Sequence, residues 1–591
     1  MRRPAASAAC LSFFLLSCAT RPAAAQDSPA KSSSAPAPAP TAAPPANAPE
    51  MATHDTAPTF KVRVNLVLVR VVVRDEHGKI IGNLRKEDFL LYDNRKPQAI
   101  STFAVETPAS HTVPVTTISD SGEPVAATAT NAVVIPQRFI ILLFDDLHLA
   151  MDDAVNVRTA AARIFDAMMP SDRISISTTS GQFAQDFTGD GDLLRRSLNN
   201  IISRDLNTRE INPCPDVSYY QADLIENKND TQALAVAAED ALQCAYNGDP
   251  QYAAAAQGLA QAAAARALSQ GDNQSSYGYR HLEDALRRLS SMPGQRTIVF
   301  ISPGFILSTL YIEGSEIIDR AARSNVMIDT LDARGLYAPD VGGDIANPPR
   351  DSFRTAGPKT AYRVAAQSAQ QDILRDFAYG TGGTFFHNRN DLDVALREAI
   401  AAPPVSYVLG FSPQNLKLNG SFHTLKVALA SKNKFDIQAR RGYYAPRTLK
   451  DPAETAKQEI QEAVFSQEEL NDLPVNLQTQ FFKKNDTDAR LAVLAHVDVK
   501  SIPFRKDGGR NNNELTLATA IFDQNGNFVT GGEKILEMKL FDATLEKLAH
   551  SGITVKSSFD VKPGTYLVRL VVRDAQGQEM AARNGAVVIP Y

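Results

Sequence analysis

The spacing of apolar side chains changes repeatedly along this chain. From Phe60 to Val73 they alternate with polar ones. Phe60, Val62, Val64, Leu66 and Leu68 share one face before the phase blurs into Val71-Val72-Val73. That period of two predicts a long strand of β-branched residues. Asp75-Glu76-His77-Gly78 predicts a turn, with Gly free to take a positive φ. Phe89–Tyr92 and Ile100–Phe103 predict two further strands. Residues 59–105 therefore read as a small β module.

Between 137 and 400 the pattern is different. Phe139–Phe144 is a continuous apolar run, as expected of a strand buried on both faces. A helix with Val155, Ala162 and Phe165 among its apolar positions follows, up to Pro170. Strands are then predicted at Ile174–Ser177, Thr297–Ile301, Val326–Ile328 and Gly382–Phe386. Helices are predicted at Leu193–Ile202, His281–Leu289, Ser315–Ala322, Ala365–Phe377 and Leu392–Ile400. This alternation predicts a Rossmann-like, doubly wound, mostly parallel sheet with helices on both faces. Residues 203–280 interrupt it as a polar insert containing an Ala-rich helix.

Residues 405–445 return to β and are grouped with the α/β region as one domain, 137–446. A helical linker, 447–470, leads to 471–591, which reads as strands and turns only. That pattern predicts an Ig-like antiparallel β-sandwich. The expected fold class is thus multidomain, α/β plus all-β. One echo supports the β readings: Val69 to Gly78 is matched by Val568 to Gly577, and more weakly by Ala520 to Gly526. In each, Asp opens a turn that ends in Gly.

Composition narrows the function classes. With 21% charged and 44% hydrophobic residues, most of the chain should be globular. A net charge of −5 argues against nucleic acid as a partner. The absence of Trp, with 7% aromatics, argues against a stacking platform for sugars or bases.

The N-terminus reads as a targeting segment. Arg2 and Arg3 precede an apolar run centred on Leu11–Leu16, and Ala23-Ala24-Ala25 precedes Gln26. This predicts a secretory signal peptide over 1–25. The run is too short for a membrane span, and no later stretch is long enough either. Leu15-Leu16-Ser17-Cys18 also resembles a bacterial lipobox, which makes Cys18 the alternative, lipid-bearing terminus. Removing 1–25 leaves 58 basic against 66 acidic residues, a net charge of −8. Residues 26–58 are Pro, Ala and Ser with few large apolar side chains, so a disordered, semi-rigid linker is expected. A second linker is expected at 106–136. The protein is expected in the periplasm, at the outer envelope or outside the cell.

Four stretches carry a family resemblance. They are Val73-Arg74-Asp75 through Gly82-Asn83-Leu84 with Asp88-Phe89; Phe144-Asp145-Asp146-Leu147-His148; Ser406–Pro413; and Ala439-Arg440-Arg441-Gly442-Tyr443-Tyr444. Together they resemble the secreted "VWFA-related" proteins of acidobacteria, whose central part is a von Willebrand factor type A-like domain. The resemblance covers about 60–446. It implies a type A fold and ligand binding, not a known reaction.

Type A domains often hold Mg²⁺ through Asp-x-Ser-x-Ser after the first strand, a Thr in a second loop and an Asp after a later strand. Here Asp145 and Asp146 survive as candidate metal ligands. Leu147 and Leu149, or His148 and Ala150, replace both Ser, and Ser302-Pro303-Gly304 stands where Asp-Gly is usual. The second-loop Thr has no clear match. The resemblance therefore implies a degraded adhesion site. No cofactor is expected, although Mg²⁺ could still bind the remnant, since it can be held by few carboxylates while keeping waters. The bland alternative is that both Asp cap the following loop and helix, or pair with an Arg.

Other chemistry is sparse. There is no Gly-x-Ser-x-Gly, His-Glu-x-x-His or phosphate-loop motif. Gly380-Thr381-Gly382-Gly383 precedes a strand and reads as a hairpin turn. Cys214 and Cys244 are the only Cys left beyond Cys10 and Cys18. An even pair in an oxidising compartment predicts a disulfide. It would staple an insert with little apolar surface of its own.

Three functions fit these readings. The leading one is an exported, non-enzymatic protein that binds another protein through loops at the carboxyl ends of the strands. The others are an enzyme using Asp145, Asp146 and His148, and a structural envelope component.

Overall fold

The computed structural model describes residues 49–590 apart from 57–66, 108–111, 114–116, 119–123, 126–132, 135, 205–212, 307–310, 337–352, 402, 412, 414–420, 432–433, 446–456, 458–459, 462, 466–469, 486 and 578. The expected signal peptide, Cys18, residues 26–48 and 57–58 of the first linker and the strand start at Phe60–Leu66 lie outside the described residues.

The first strands are β1 (Met51–Thr56), β2 (Val67–Arg74), β3 (Phe89–Asp93), β4 (Lys96–Gln98) and β5 (Thr102–Glu106). The central region follows: β6 (Arg138–Phe144), α1 (Met151–Ala162), β7 (Asp172–Thr178), β8 (Ala184–Thr188) and α2 (Gly191–Leu198). Three helices occupy the insert, α3 (Tyr219–Glu226), α4 (Thr231–Tyr246) and the long α5 (Ala253–Ser290). Then come β9 (Gln295–Ser302), α6 (Tyr311–Arg323), β10 (Val326–Asp332), α7 (Ala356–Thr381), β11 (Phe385–Phe386) and α8 (Leu392–Ile400).

The six-stranded sheet runs β8-β7-β6-β9-β10-β11. All seven residues of β6 are buried. Phe139, Ile141 and Leu143 pack with α5 and α7 on one face, and Ile140, Leu142 and Phe144 with α1, α2 and α8 on the other. Each fully buried side chain of this size contributes roughly 1.5–3 kcal/mol, so β6 anchors this part of the chain.

The next strands are β12 (Ser406–Phe411), β13 (Phe422–Leu429), β14 (Asp436–Ala439) and β15 (Gly442–Tyr444). They interleave with the first strands to make two four-stranded sheets, β14-β2-β12-β5 and β15-β13-β3-β4. Val69, Val71, Leu91, Leu409 and Leu425 fill the core between them.

The C-terminal region holds β16 (Leu470–Asn471), β17 (Val475–Lys483), β18 (Ala489–Val497), β19 (Arg505–Asp507), β20 (Arg510–Asp523), β21 (Phe528–Leu540), α9 (Asp542–Ser551), β22 (Ile553–Val561), β23 (Gly564–Asp574) and β24 (Met580–Ile589). A seven-stranded sheet, β1-β21-β20-β23-β24-β16 with β19 on β20, faces a three-stranded sheet, β17-β18-β22.

The expected fold class is corrected by this inventory. Antiparallel β structure prevails. The seven-stranded sheet, both four-stranded sheets and the three-stranded sheet pair only antiparallel. Parallel pairing is confined to four strand pairs of the six-stranded sheet, β6 with β7 and β9, β9 with β10, and β10 with the two-residue β11. Its remaining pair, β7 with β8, is antiparallel. The chain is therefore not a doubly wound, Rossmann-like type A domain with β appendages. The strands at 405–445, grouped with that domain from sequence, belong instead with 67–106.

Other expectations also shift. Residues 51–56, placed in the disordered linker, form an edge strand on β21. The C-terminal region contains the helix α9, where only strands and turns were expected. Gly382 is no hairpin residue: it caps α7 at φ +88. The helix α1 buries Ala154, Val157, Ala160 and Ala161, while Val155 faces outward at 44% exposure. The three echoed turns are built alike, since Asp75, Asp523 and Asp574 each accept two backbone N–H groups. Gly78 and Gly526 take positive φ, but Gly577 does not.

The amino ends of the six-stranded sheet are covered. Arg296, at the start of β9, is buried and donates to the carbonyls of Met292, Ser324 and Phe465 at 2.8, 2.7 and 2.6 Å. Phe465 itself packs on the seven-stranded sheet. Arg173 donates to the Gln524 carbonyl. Gly526 lies so close to Phe139 that a methyl group would overlap the ring. The carboxyl ends face the other way and carry the candidate site.

Candidate functional site

The site follows from where the strands stop. The ladder between β6 and β9 continues one residue past Phe144, as the Asp145 amide donates to the Ile301 carbonyl at 2.9 Å. The Thr179 amide donates to the Phe144 carbonyl at 2.9 Å. Asp145, Thr179 and Ser302 are thereby gathered at neighbouring strand ends.

Asp145 is fully buried. Its carboxylate accepts from Thr179 Oγ1 at 2.8 Å and Ser302 Oγ at 2.6 Å. His148 Nδ1 lies 2.9 Å from both of its oxygens. A tight turn returns His148 over the carboxylate: the His148 and Leu149 amides both donate to the Asp145 carbonyl. The imidazole stacks on Phe305, with centroids 5.5 Å apart. Burial opposes ionisation of Asp145, but the His148 ring and the hydroxyl donors outweigh it and hold the carboxyl below its usual range.

Asp146 is also buried. It accepts from Ser180 N at 2.8 Å, Ser180 Oγ at 2.6 Å and Thr179 Oγ1 at 3.2 Å. Arg204 Nε stands 3.5 Å away. Burial raises its carboxyl above the usual range, against the pull of the Ser180 donors. Neither Asp caps α1, whose N-cap, Ala150, has no side-chain hydrogen bond. Pairing with an Arg does occur, through Arg204.

Protein groups surround both oxygens of the Asp145 carboxylate. His148 Nδ1 lies 2.9 Å from both Asp145 oxygens, where an ion held by that carboxylate would sit, and the Thr179 and Ser302 hydroxyl oxygens lie 2.8 and 2.6 Å from the same carboxylate. Among the described residues, no group of three or more His, Cys, Asp and Glu side chains is disposed to hold a metal ion.

Sequence reasoning named Asp145, Asp146 and His148 but found no match for the second-loop Thr. Thr179, the first residue after β7, donates to Asp145 at 2.8 Å. Ser302, read only as a lost Asp, supplies a donor. A second rim cluster was also missed. Asp332, the last residue of β10, receives two bonds from Arg334 at 2.9 and 2.8 Å and one from Gln371 at 3.0 Å. The common signal is position: each is the polar residue at or just after the end of an apolar strand.

The rim also exposes apolar side chains. Met151 at the start of α1 is 68% exposed, Ile202 53% and Leu336 63%. Ile202 is held beside Asp146 because Ser203 donates to the Leu149 carbonyl and Arg204 N to the Asp146 carbonyl.

Beyond the rim, Cys214 and Cys244 form a disulfide, with Cα atoms 5.8 Å apart. The insert also has an apolar core of its own, which its polarity did not suggest. Ala222, Ile225, Ala233, Ala237, Ala260 and Ala264 bury a small-residue core among α3, α4 and α5, and the buried Lys359 of α7 pairs with Asp240 at 2.8 Å.

No protein-family profile and no curated protein sequence matches this chain. Solved structures give only partial likenesses. A glycosyl hydrolase family 2 member from Bacteroides cellulosilyticus is 10% identical over 33% of this chain and 21% of its own, with a TM-score of 0.15. A Bacteroides uniformis β-glucuronidase is 12% identical over 33% and 20%, with a TM-score of 0.14. A pilus adhesin from Lactobacillus rhamnosus GG is 8% identical over 78% and 54%, with a TM-score of 0.19. The chain spans about a fifth of the hydrolase chains it matches.

Proposed function

We propose that this protein is an exported binding protein, not an enzyme, that meets a protein partner through the rim at the carboxyl ends of β6, β7 and β9. The observation that carries this reading is the state of the two central carboxylates. Asp145 and Asp146 receive hydrogen bonds from Thr179, Ser180, Ser302 and His148, so they serve as a hub that fixes three loops. A catalytic carboxylate must instead face a substrate. Around the hub, Met151, Ile202 and Leu336 offer apolar contact beside Arg204 and Arg334, a mixture common at the centre of protein interfaces. The hub works without a metal ion.

Export is supported by the charged and apolar pattern of 1–25 and by the Cys214–Cys244 bond, which suits an oxidising compartment. Free secretion and attachment through Cys18 are distinguished by the mass of the mature N-terminus. Among the described residues, no helix is long and apolar enough to cross a membrane. The four motifs shared with VWFA-related secreted proteins agree with a binding role.

The test is a photo-crosslinking residue placed at Ile202 in exporting cells. A specific protein adduct there, absent when the same residue replaces the exposed Phe482 of β17, supports the rim. Adducts at Phe482 alone would move the surface elsewhere.

A further inference from the structure

The stretch Ala439–Tyr444 has no part in the rim, yet it contains an unusual cation. Arg440, just after β14, is only 6% exposed. Its Nε is buried without a partner. Among the described residues, its guanidinium makes no hydrogen bond or ion pair. Asp319 is the acid that acts on it from a distance, but that carboxylate is bonded to Arg323 at 2.9 Å.

A second guanidinium lies alongside. Arg70 of β2 pairs with Glu106 at 2.8 Å through Nη2, but its Nε is likewise buried without a partner. Arg70 and Arg440 line one small cleft together with Asn325, Met327, Thr381 and Gly382. The cleft lies where the start of β10 and the end of α7 meet β2 and β14. The Asn325 carboxamide makes no hydrogen bond among the described residues. Gly382 is required at the wall: a Cβ there would press on the Arg440 backbone.

The lining carries two cations and no acid, and one of those cations is already balanced by Glu106. A buried guanidinium with no counter-charge is expensive, and burial pushes Arg440 down to about 10. The carboxyl end of α7 would attract a cation, but its nearby carbonyls are taken. Ala378 accepts from Gly383 N, and Phe377 from Thr381 Oγ1. The space is about 20 Å³, room for an occupant little larger than a water molecule.

We propose that this cleft binds one small monovalent anion of about the size of chloride, held by the guanidinium groups of Arg440 and Arg70 and the amide of Asn325. The anion neutralises the one unbalanced charge and ties the six-stranded sheet to the sandwich formed by 67–106 and 405–445. The inference is independent of the rim and of any partner.

The test is thermal melting of the full chain while sodium gluconate, too large for the cleft, is replaced by sodium chloride at constant ionic strength. The wild type should gain about 2–4 °C, saturating with chloride. Arg440→Met should melt at the same temperature throughout. If that variant does not fold, Asn325→Asp supplies a tethered carboxylate: it should melt no lower than the wild type in gluconate and lose the chloride response. Equal melting of the wild type in both salts, or a chloride response retained in either variant, would overturn the proposal.

Discussion

Thr179 Oγ1 donates to Asp145 Oδ1 at 2.8 Å across 34 residues of sequence. This bond ties the loop after β7 to the loop after β6 over the strand ends, and Ser302 ties in the loop after β9 from the other side. Asp145 thus ties three strand ends together, and Asp146 adds the Ser180 bonds beside it.

Thr179→Val should cost about 1.5–3 kcal/mol, the range for a hydrogen bond to a charged group. It should also change the acid limb. Asp145 has a depressed pKa, so its contribution is present above the unfolded value near 3.8 and is lost as pH falls through the folded value. Removing a donor raises the folded value, so the variant should begin to lose stability at higher pH. Melting curves from pH 2.5 to 7 check both effects. Parallel curves for variant and wild type would show that the bond does not hold the carboxylate.

Magnesium or manganese should leave the melting temperature of the wild type unchanged, because His148 holds both Asp145 oxygens. A true site at 100 times its dissociation constant would add about 2.7 kcal/mol. His148→Ser clears those oxygens and adds a hydroxyl, and should gain a magnesium response. A wild-type response abolished by Asp145→Ala would sink the account of the hub.

Asp329 of β10 gives a second pH signature. It is buried, among the described residues it accepts only the Thr384 amide, and burial raises it to about 7. A raised acid favours the protonated native state, so its contribution is lost as pH rises from about 4 to about 7 and is flat above. Asp329→Asn keeps the acceptor and cannot ionise. Its advantage over the wild type should grow by about 2–3 kcal/mol between pH 5 and pH 8.5. A constant difference across that range would contradict this.

Much of the local structure was legible in the sequence, and the assembly was not. The run Phe139–Phe144 and the strands near Thr297, Val326 and Tyr407 could be placed because apolar period and length are local signals. The pairing of Tyr407 with Val71 spans more than 300 residues, and no local pattern encodes it. Hence one antiparallel sandwich was divided between two expected domains. The insert was misjudged for a different reason: Ala233, Ala237, Ala260 and Ala264 form its core, and alanine reads as neutral until helices approach closely. Asp145 was visible by its motif, whereas Thr179 and Ser302 became visible only once β7 and β9 flanked β6.

Reduction of the Cys214–Cys244 bond should lower stability by roughly 3–4 kcal/mol on the chain-entropy model. The loss should appear first as faster amide exchange in α3 and α4, while β6 and β9 stay protected. Unchanged melting after complete reduction would assign the staple no stabilising role.

The central claim is that the rim binds a protein without a metal ion. It is tested most directly by measuring the affinity of the partner crosslinked at Ile202 for purified protein, in EDTA and in magnesium. The wild type should bind equally in both, and Met151→Glu combined with Ile202→Glu should weaken binding by at least about 100-fold, the loss expected when two buried apolar contacts are replaced by charges. Binding abolished by EDTA, or retained in full by the double variant, would contradict the account.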